Sequence, residues 1–188
     1  QYFFRCDFDD FFGRINESRL TRCLKRRFSY AEARQMARES VVIKPGSKKT
    51  MLPYGYVQSP ILASLALDKS RVGRFLRQCD LSEHLTVSVY VDDIILSSND
   101  DGLLGDAAAE LQQLALDAGL PLSSEKTAGP ASAITAFNVE LSHGSMSLEH
   151  DRLQRFREAY AMASSPQVEA GILGYVHTIN PAQVAAVP

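Results

Sequence analysis

Thr86-Val87-Ser88-Val89-Tyr90-Val91-Asp92-Asp93-Ile94-Ile95-Leu96-Ser97-Ser98 is two β-branched runs that meet at a pair of adjacent carboxylates. Val and Ile dominate both arms, and Ser and Thr alternate with them in the first arm, so the stretch reads as a hairpin with both Asp at its bend. The usual two-residue turns, Asn-Gly and Asp-Gly, are absent, and Asp is a poor strand residue. Two Asp in a turn are common enough to need no ligand. Here, however, almost wholly apolar arms put the turn at the rim of a sheet packed into a core, where like charges repel unless they are neutralised. A divalent cation would neutralise them.

Working outward, 188 residues allow one domain with a sizeable core, or one piece of a larger enzyme. With 45% apolar and 22% charged residues and no tryptophan, the composition suggests neither disorder nor a membrane class. No apolar run reaches the roughly 20 residues of a membrane span, and no signal-peptide pattern opens the chain. The expected setting is the cytoplasm, which suits three cysteines, Cys6, Cys23 and Cys79, with no paired spacing. The net charge of −2 is unevenly placed: residues 1–80 hold 16 Lys and Arg against 8 Asp and Glu, and residues 81–188 hold 4 against 14. That leaves +8 and −10, an asymmetry that fits either a polyanion-binding surface or solvated basic helix faces.

The chain opens with an aromatic strand, Tyr2 to Phe8, and is therefore expected to lack its true beginning. A tight turn through Asp9-Asp10-Phe11-Phe12-Gly13 leads to a basic helix capped by Asn16 and running to about Phe28. A second helix, Tyr30 to Glu39, carries the capping box of Ser29 and Glu32. A small hairpin follows around Lys44-Pro45-Gly46-Ser47-Lys48-Lys49, whose spacing is not that of a phosphate loop. Ser59 as cap and Pro60 at the first position predict one helix from Ile61 to Gln78. Beyond the central hairpin come an amphipathic helix from Gly102 to Ala118 stopped by Gly119, and an extended stretch from Pro121 to Thr127. A hairpin (Ile134–Leu141, Ser145–Leu148) and two helices near 149–162 and 168–177 complete the chain.

Nucleotidyl transfer needs carboxylates from separate elements to hold two divalent ions about 3.5–4 Å apart. Asp7 and Asp92, on neighbouring strands, are the candidates. Carboxylates gathered without cations would repel by about 1 kcal/mol per pair at 4 Å in water and about 4 at an effective dielectric of 20.

Tyr90-Val91-Asp92-Asp93 resembles the YxDD box of reverse transcriptases, and Arg5-Cys6-Asp7-Phe8-Asp9-Asp10-Phe11-Phe12-Gly13-Arg14-Ile15 resembles the family's first palm motif. The likeness is to the bacterial kind, those of retrons, group II introns and phage-defence systems, and extends from residue 1 to about 181. It implies an α+β fold, a polymerase palm with an antiparallel sheet backed by helices, over 1–148, and a connection toward a thumb over 149–188. Fingers and most of a thumb are expected to be missing. By the same likeness Asp7, Phe8, Asp92 and Asp93 are the metal-site residues. Phe8 also belongs with the substrate contacts, and Phe12 takes the place of the side chain that crowds a ribose 2′-hydroxyl, unless it is a plain core residue.

Leu52-Pro53-Tyr54-Gly55 with Ser59-Pro60 resembles the second palm motif, which makes Tyr54, Gly55 and Gln58 substrate-binding candidates. The family commonly has Gln before that glycine, whereas this chain has Tyr54 there and a Gln only at Gln58. Gly119 to Thr127 is similar to the motif that brings a lysine near the leaving pyrophosphate, so Lys126 would donate a proton or offset charge, or else is an exposed surface lysine. Phe137-Asn138-Val139 stands where the family often has Phe-Leu-Gly.

The resemblance implies an RNA-directed DNA polymerase that adds dNTPs to a primer 3′-hydroxyl, using two Mg²⁺ ions, with Mn²⁺ as a substitute. Its implied partners are an RNA template, a DNA or RNA primer and a cognate noncoding RNA. Two alternatives stay open: protein-primed or untemplated DNA synthesis in phage defence, and a nucleic-acid-binding palm that no longer catalyses. A cyclase of related architecture is disfavoured, because the Gly-Gly-Asp/Glu-Glu-Phe turn is absent.

Overall fold

The computed structural model describes residues 1–188. In chain order the elements are β1 (Tyr2–Asp7), α1 (Glu17–Leu24), α2 (Tyr30–Glu39), β2 (Val42–Ile43), β3 (Thr50–Met51), α3 (Gln58–Asp68), α4 (Arg71–Asp80), β4 (Thr86–Tyr90), β5 (Asp93–Ser98) and α5 (Asp101–Asp117). Then follow β6 (Ala128–Ala131), β7 (Ala133–Ala136), β8 (Val139–Ser142), β9 (Ser145–Leu148), α6 (His150–Ala161) and α7 (Pro166–Ile179), with 3-10 turns at Phe12–Arg14 and Pro181–Ala186.

The central sheet has the order β4-β5-β1-β6, antiparallel throughout. Its two faces follow from the period of two along each strand. Phe4, Cys6, Ile94 and Leu96 point into one core with α1 to α5, whereas Arg5, Asp7 and Asp93 lie on the other face. This main core holds 27 buried residues, and a second cluster of four, Val139, Leu148, Val176 and Val187, joins the β7-β8-β9 sheet to α7 and the chain end. Burial of the main core therefore carries most of the hydrophobic stabilisation. The fold is α+β, an antiparallel sheet backed by helices, as the sequence implies. No helix is long and apolar enough to cross a membrane.

Caps settle most helix starts. Asn16 accepts from the Arg19 amide, Ser29 and Glu32 form the full capping box, and Asp100 accepts from the Leu103 amide. The expected helix over 61–78 is instead two. The Lys69 and Ser70 amides turn back to Leu65 and Leu67, and the Ser70 hydroxyl caps α4 by accepting from the Gly73 amide at 3.1 Å. Gly73 is required there, because a Cβ would lie 2.3 Å from the Leu67 carbonyl oxygen. Ser59 is not a cap: it sits inside α3, fully buried, and its hydroxyl has no partner.

Two further expectations change. The first helix ends at Leu24 rather than Phe28. The strand expected over 134–141 is broken by a two-residue turn, Phe137-Asn138, with φ +56° and +61°, the left-handed pair that matches hairpin twist. Pro121 to Thr127 is extended only at its start, where Leu122 bridges to Phe8, before a turn through Ser124–Lys126.

Candidate active site

Strand pairing builds the site. β1 and β5 run antiparallel in the register that sets Asp7 directly opposite Asp93, and Tyr90 pairs with Asp93 in the next ladder. The hairpin loop is therefore Val91-Asp92, and Asp93 opens β5 instead of sharing the bend. Val91 has φ +58°. A β-branched residue there is a steric outlier, at a cost of order 1–3 kcal/mol, and such strain concentrates at functional sites.

Asp7, Asp92 and Asp93 each bring a carboxylate oxygen within 4.8 Å of the others. The surroundings supply little positive charge. Lys126 donates to Asp7 Oδ2 at 3.1 Å, and Arg5 comes to 3.6 Å from Asp93 Oδ1 while donating to the Thr135 carbonyl at 2.9 Å. Asp93 Oδ1 is buried and has no hydrogen-bond partner. Burial raises the Asp92 carboxyl above its ordinary value, and the charges of Asp7 and Asp93 add to the rise against its backbone hydrogen bond and Lys126. The hydrogen bond to Asp7 raises the Lys126 ammonium. Behind Asp7, burial pushes the Cys6 thiol up to about 12, with the Asp7 and Asp93 charges adding.

An orphaned, buried carboxylate oxygen beside two other carboxylates fits a hard divalent cation, which takes oxygen ligands. The donor set is all carboxylate, which suits hard cations such as magnesium, calcium and manganese.

Next to the triad lies a second acidic turn. Asp9 Oδ2 accepts from Arg14 at 2.5 Å, and Asp10 is bound by the Lys44 ammonium and by the Tyr54 hydroxyl at 3.2 Å. Desolvation raises the Asp10 carboxyl, but the Lys44 hydrogen bond and charge, with Tyr54, outweigh it and hold the group below the usual range. Tyr54 in turn leans on Phe12, ring centroids 5.2 Å apart, and its phenol is raised by burial and then by Asp10, with Asp92 and Asp9 contributing.

Of the residues singled out in the sequence, Asp7, Asp92, Asp93 and Lys126 come together, and Phe12 and Tyr54 form an adjacent wall. Gly55 occupies an exposed turn at φ +79°, and Gln58 is the exposed first residue of α3. Phe8 differs: its ring is buried and stacked on Phe11 at 5.0 Å. A hydrocarbon ring cannot ligate a cation, so only its backbone remains for metal or substrate. Arg5 and Asp10 were not singled out. Arg5 was legible, since two residues before Asp7 on a strand means the same face.

A family profile described as "Reverse transcriptase (RNA-dependent DNA polymerase)" matches residues 1–175. No curated protein sequence matches. Among solved structures, the foamy viral protease-reverse transcriptase in complex with double-stranded DNA aligns with TM-score 0.57 at 19% identity, over 93% of this chain and 27% of that one. Apo telomerase from Candida tropicalis aligns with TM-score 0.60 at 13% identity, covering 92% and 35%. Telomerase from Candida albicans, in complex with a fragment of telomeric RNA, aligns with TM-score 0.58 at 10% identity, covering 99% and 40%. The chain thus spans well under half of each of these proteins, and at such identities they share its fold. With a profile match across nearly its whole length, a carboxylate triad at the hairpin turn and this sheet order, the chain belongs to the reverse transcriptase (RNA-dependent DNA polymerase) family.

Proposed function

We propose that the chain is the palm of an RNA-directed DNA polymerase that adds deoxynucleotides to a primer 3′-hydroxyl. The reading rests on one observation above all: three carboxylates, from β1, from β5 and from the hairpin loop before it, converge within 4.8 Å with too few cations to balance them. Asp7 and Asp92 would hold two magnesium or manganese ions, supported by Asp93 and the Phe8 backbone. Bound there, such ions activate the attacking hydroxyl and stabilise the leaving phosphate. The remaining work is positioning. Phe12, backed by Tyr54, crowds the sugar 2′ position, Gly55 allows close backbone approach, Gln58 contributes to substrate binding by its likeness to the second palm motif, and Lys126 offsets or protonates the departing pyrophosphate.

Residues 1–148 act as the palm and 149–188 as the link toward a thumb, with the small core of Val139, Leu148, Val176 and Val187 joining the two across that boundary. The partners are an RNA template, a primer, dNTPs and a cognate noncoding RNA. The motif likeness favours the bacterial kind of enzyme, and three buried free thiols suit a reducing cytoplasm. In the protein that carries this chain, Asp92→Ala lowers magnesium-dependent extension of a primed RNA by roughly a thousandfold or more, the effect of several kcal/mol of lost charge stabilisation. Extension at the wild-type rate refutes the reading. A palm that only binds RNA would instead take up no nucleotide with magnesium in calorimetry.

A second reading, protein-primed or untemplated synthesis, is favoured by Tyr54, whose hydroxyl is held by Asp10 beside the motif glycine. Product of random or homopolymeric sequence would establish it over copying.

A further inference from the structure

Of the basic residues in 1–80, only Arg5, Arg14 and Lys44 answer the acids of the two clusters, and most of the +8 charge lies elsewhere. It gathers on the helix layer that covers the other face of the sheet. There α1, the α3–α4 corner and the end of α5 enclose a groove of about 380 Å³ between Arg19, Arg22, Lys69, Arg71 and Arg74. Arg22, Arg71 and Arg74 are exposed, and no carboxylate lies within ion-pair distance of them. Lys69 is answered by Asp68, and the one acid on the rim, Asp117, already accepts from Gln113 at 2.8 Å. Arg19 is half-buried, with its guanidinium fixed on the Ala118 carbonyl at 2.7 Å.

The crowding is electrostatically unfavourable. Burial lowers the Arg19 guanidinium, Arg22 and Arg14 lower it further against Cys23, and the Cys23 sulfur lies in the positive field of Arg19, Arg22, Arg26 and Lys69. Four arginines set against one carboxylate, Asp117, are the mirror image of the carboxylate triad, and the excess positive charge calls for an anion. The groove offers no aromatic ring to stack a base and only small apolar groups, Ala66, Ala118 and Cys23, so it suits a phosphate backbone more than bases. Guanidinium forks match phosphate oxygens in geometry as well as in charge.

We infer that the α1, α3–α4 and α5 groove is a second nucleic-acid site, which grips the phosphodiester backbone on the side of the domain away from the carboxylates. The site reads charge and shape, not sequence. It holds independently of whether the triad catalyses.

The test uses a fluorescent dumbbell RNA, a duplex closed at both ends that offers no primer terminus, titrated by anisotropy without divalent cations. The combined variant Arg22→Glu/Arg71→Glu/Arg74→Glu weakens binding by roughly tenfold or more and lowers the log–log salt slope by about three, one for each phosphate contact removed. The corresponding Arg→Gln variant shows the same slope loss with an unchanged melting curve, which separates the effect from misfolding. Asp92→Ala leaves dumbbell affinity at the wild-type level, so failure at the carboxylates and failure here remain distinguishable. Affinity of the Glu variant within about twofold of wild type overturns the assignment. Displacement of the dumbbell by polyglutamate at equal charge overturns it too, in favour of an acidic polypeptide.

Discussion

Two acidic clusters lie side by side at one end of the sheet, and they are treated in opposite ways. Asp9 and Asp10 are met by Arg14, Lys44 and the Tyr54 hydroxyl, and the Asp10 carboxyl is held low. Asp7, Asp92 and Asp93 share one lysine contact and one distant arginine, the Asp92 carboxyl is driven up, and a buried oxygen of Asp93 is left over. The first cluster is balanced by the protein's own cations and shapes the turn after β1. The second is balanced only when something is added. The difference teaches that the count of acidic residues says little, and that the count of local counter-charges separates a structural acid from a ligand.

The sharpest way to break that contrast is with magnesium itself. Magnesium at about a hundredfold excess over its dissociation constant stabilises the chain by about 2.7 kcal/mol, seen as a rise in melting temperature. Asp7→Ala abolishes the rise, whereas Asp10→Asn retains it. If Asp10→Asn is the variant that loses the response, the two clusters have been assigned the wrong way round.

A smaller effect tests the balanced cluster. A Cβ on Gly13 would fall 2.2 Å from Asp10 Oδ1, so Gly13→Ala drives the carboxylate off Lys44 and destabilises the chain by up to about 1 kcal/mol in urea melts. It leaves the magnesium response intact.

The smallest effect is the pH dependence of Asp10. Its folded value lies below the ordinary 3.8, so its contribution is fully present above 3.8 and is lost as pH falls through the depressed folded value. Because the side chain is a third exposed, the change is modest. Urea melts of wild type and Asp10→Asn should therefore run parallel above 3.8 and converge below it.

Much of this arrangement was legible in the residues. Alternation in Thr86–Tyr90 and the β-branched run after Asp93 gave the hairpin, and Asn16, Ser29 and Asp100 announced their helices because each cap's hydrogen bond is local. Three features were not legible. Ser59-Pro60 looks like a helix start, yet tertiary packing buries Ser59 inside α3. The α3–α4 break depends on how closely Gly73 approaches Leu67, a contact no local pattern encodes, although Ser70 three residues before that glycine was a usable cap signal. Phe137-Asn138 is no standard turn pair, and its place is held in part by the Phe137 ring meeting Tyr90 edge-on at 5.9 Å. Partner assignments within the site, Lys44 with Asp10 and Lys126 with Asp7, join residues 34 and 119 positions apart, which only the fold brings together.

The register of β1 against β5 has a consequence for how this chain tolerates change in length. Deleting a single residue within Phe3–Arg5, with the start of the strand held in register, would set Cys6 opposite Ile95, turn Asp7 toward the helices and bring Phe8 opposite Asp93, removing a carboxylate from the triad in one step. The loop at His143-Gly144, exposed and joining two short strands of the smaller sheet, carries no such coupling and can lengthen freely. Insertions and deletions in descendants of this sequence should therefore gather there and spare the first strand.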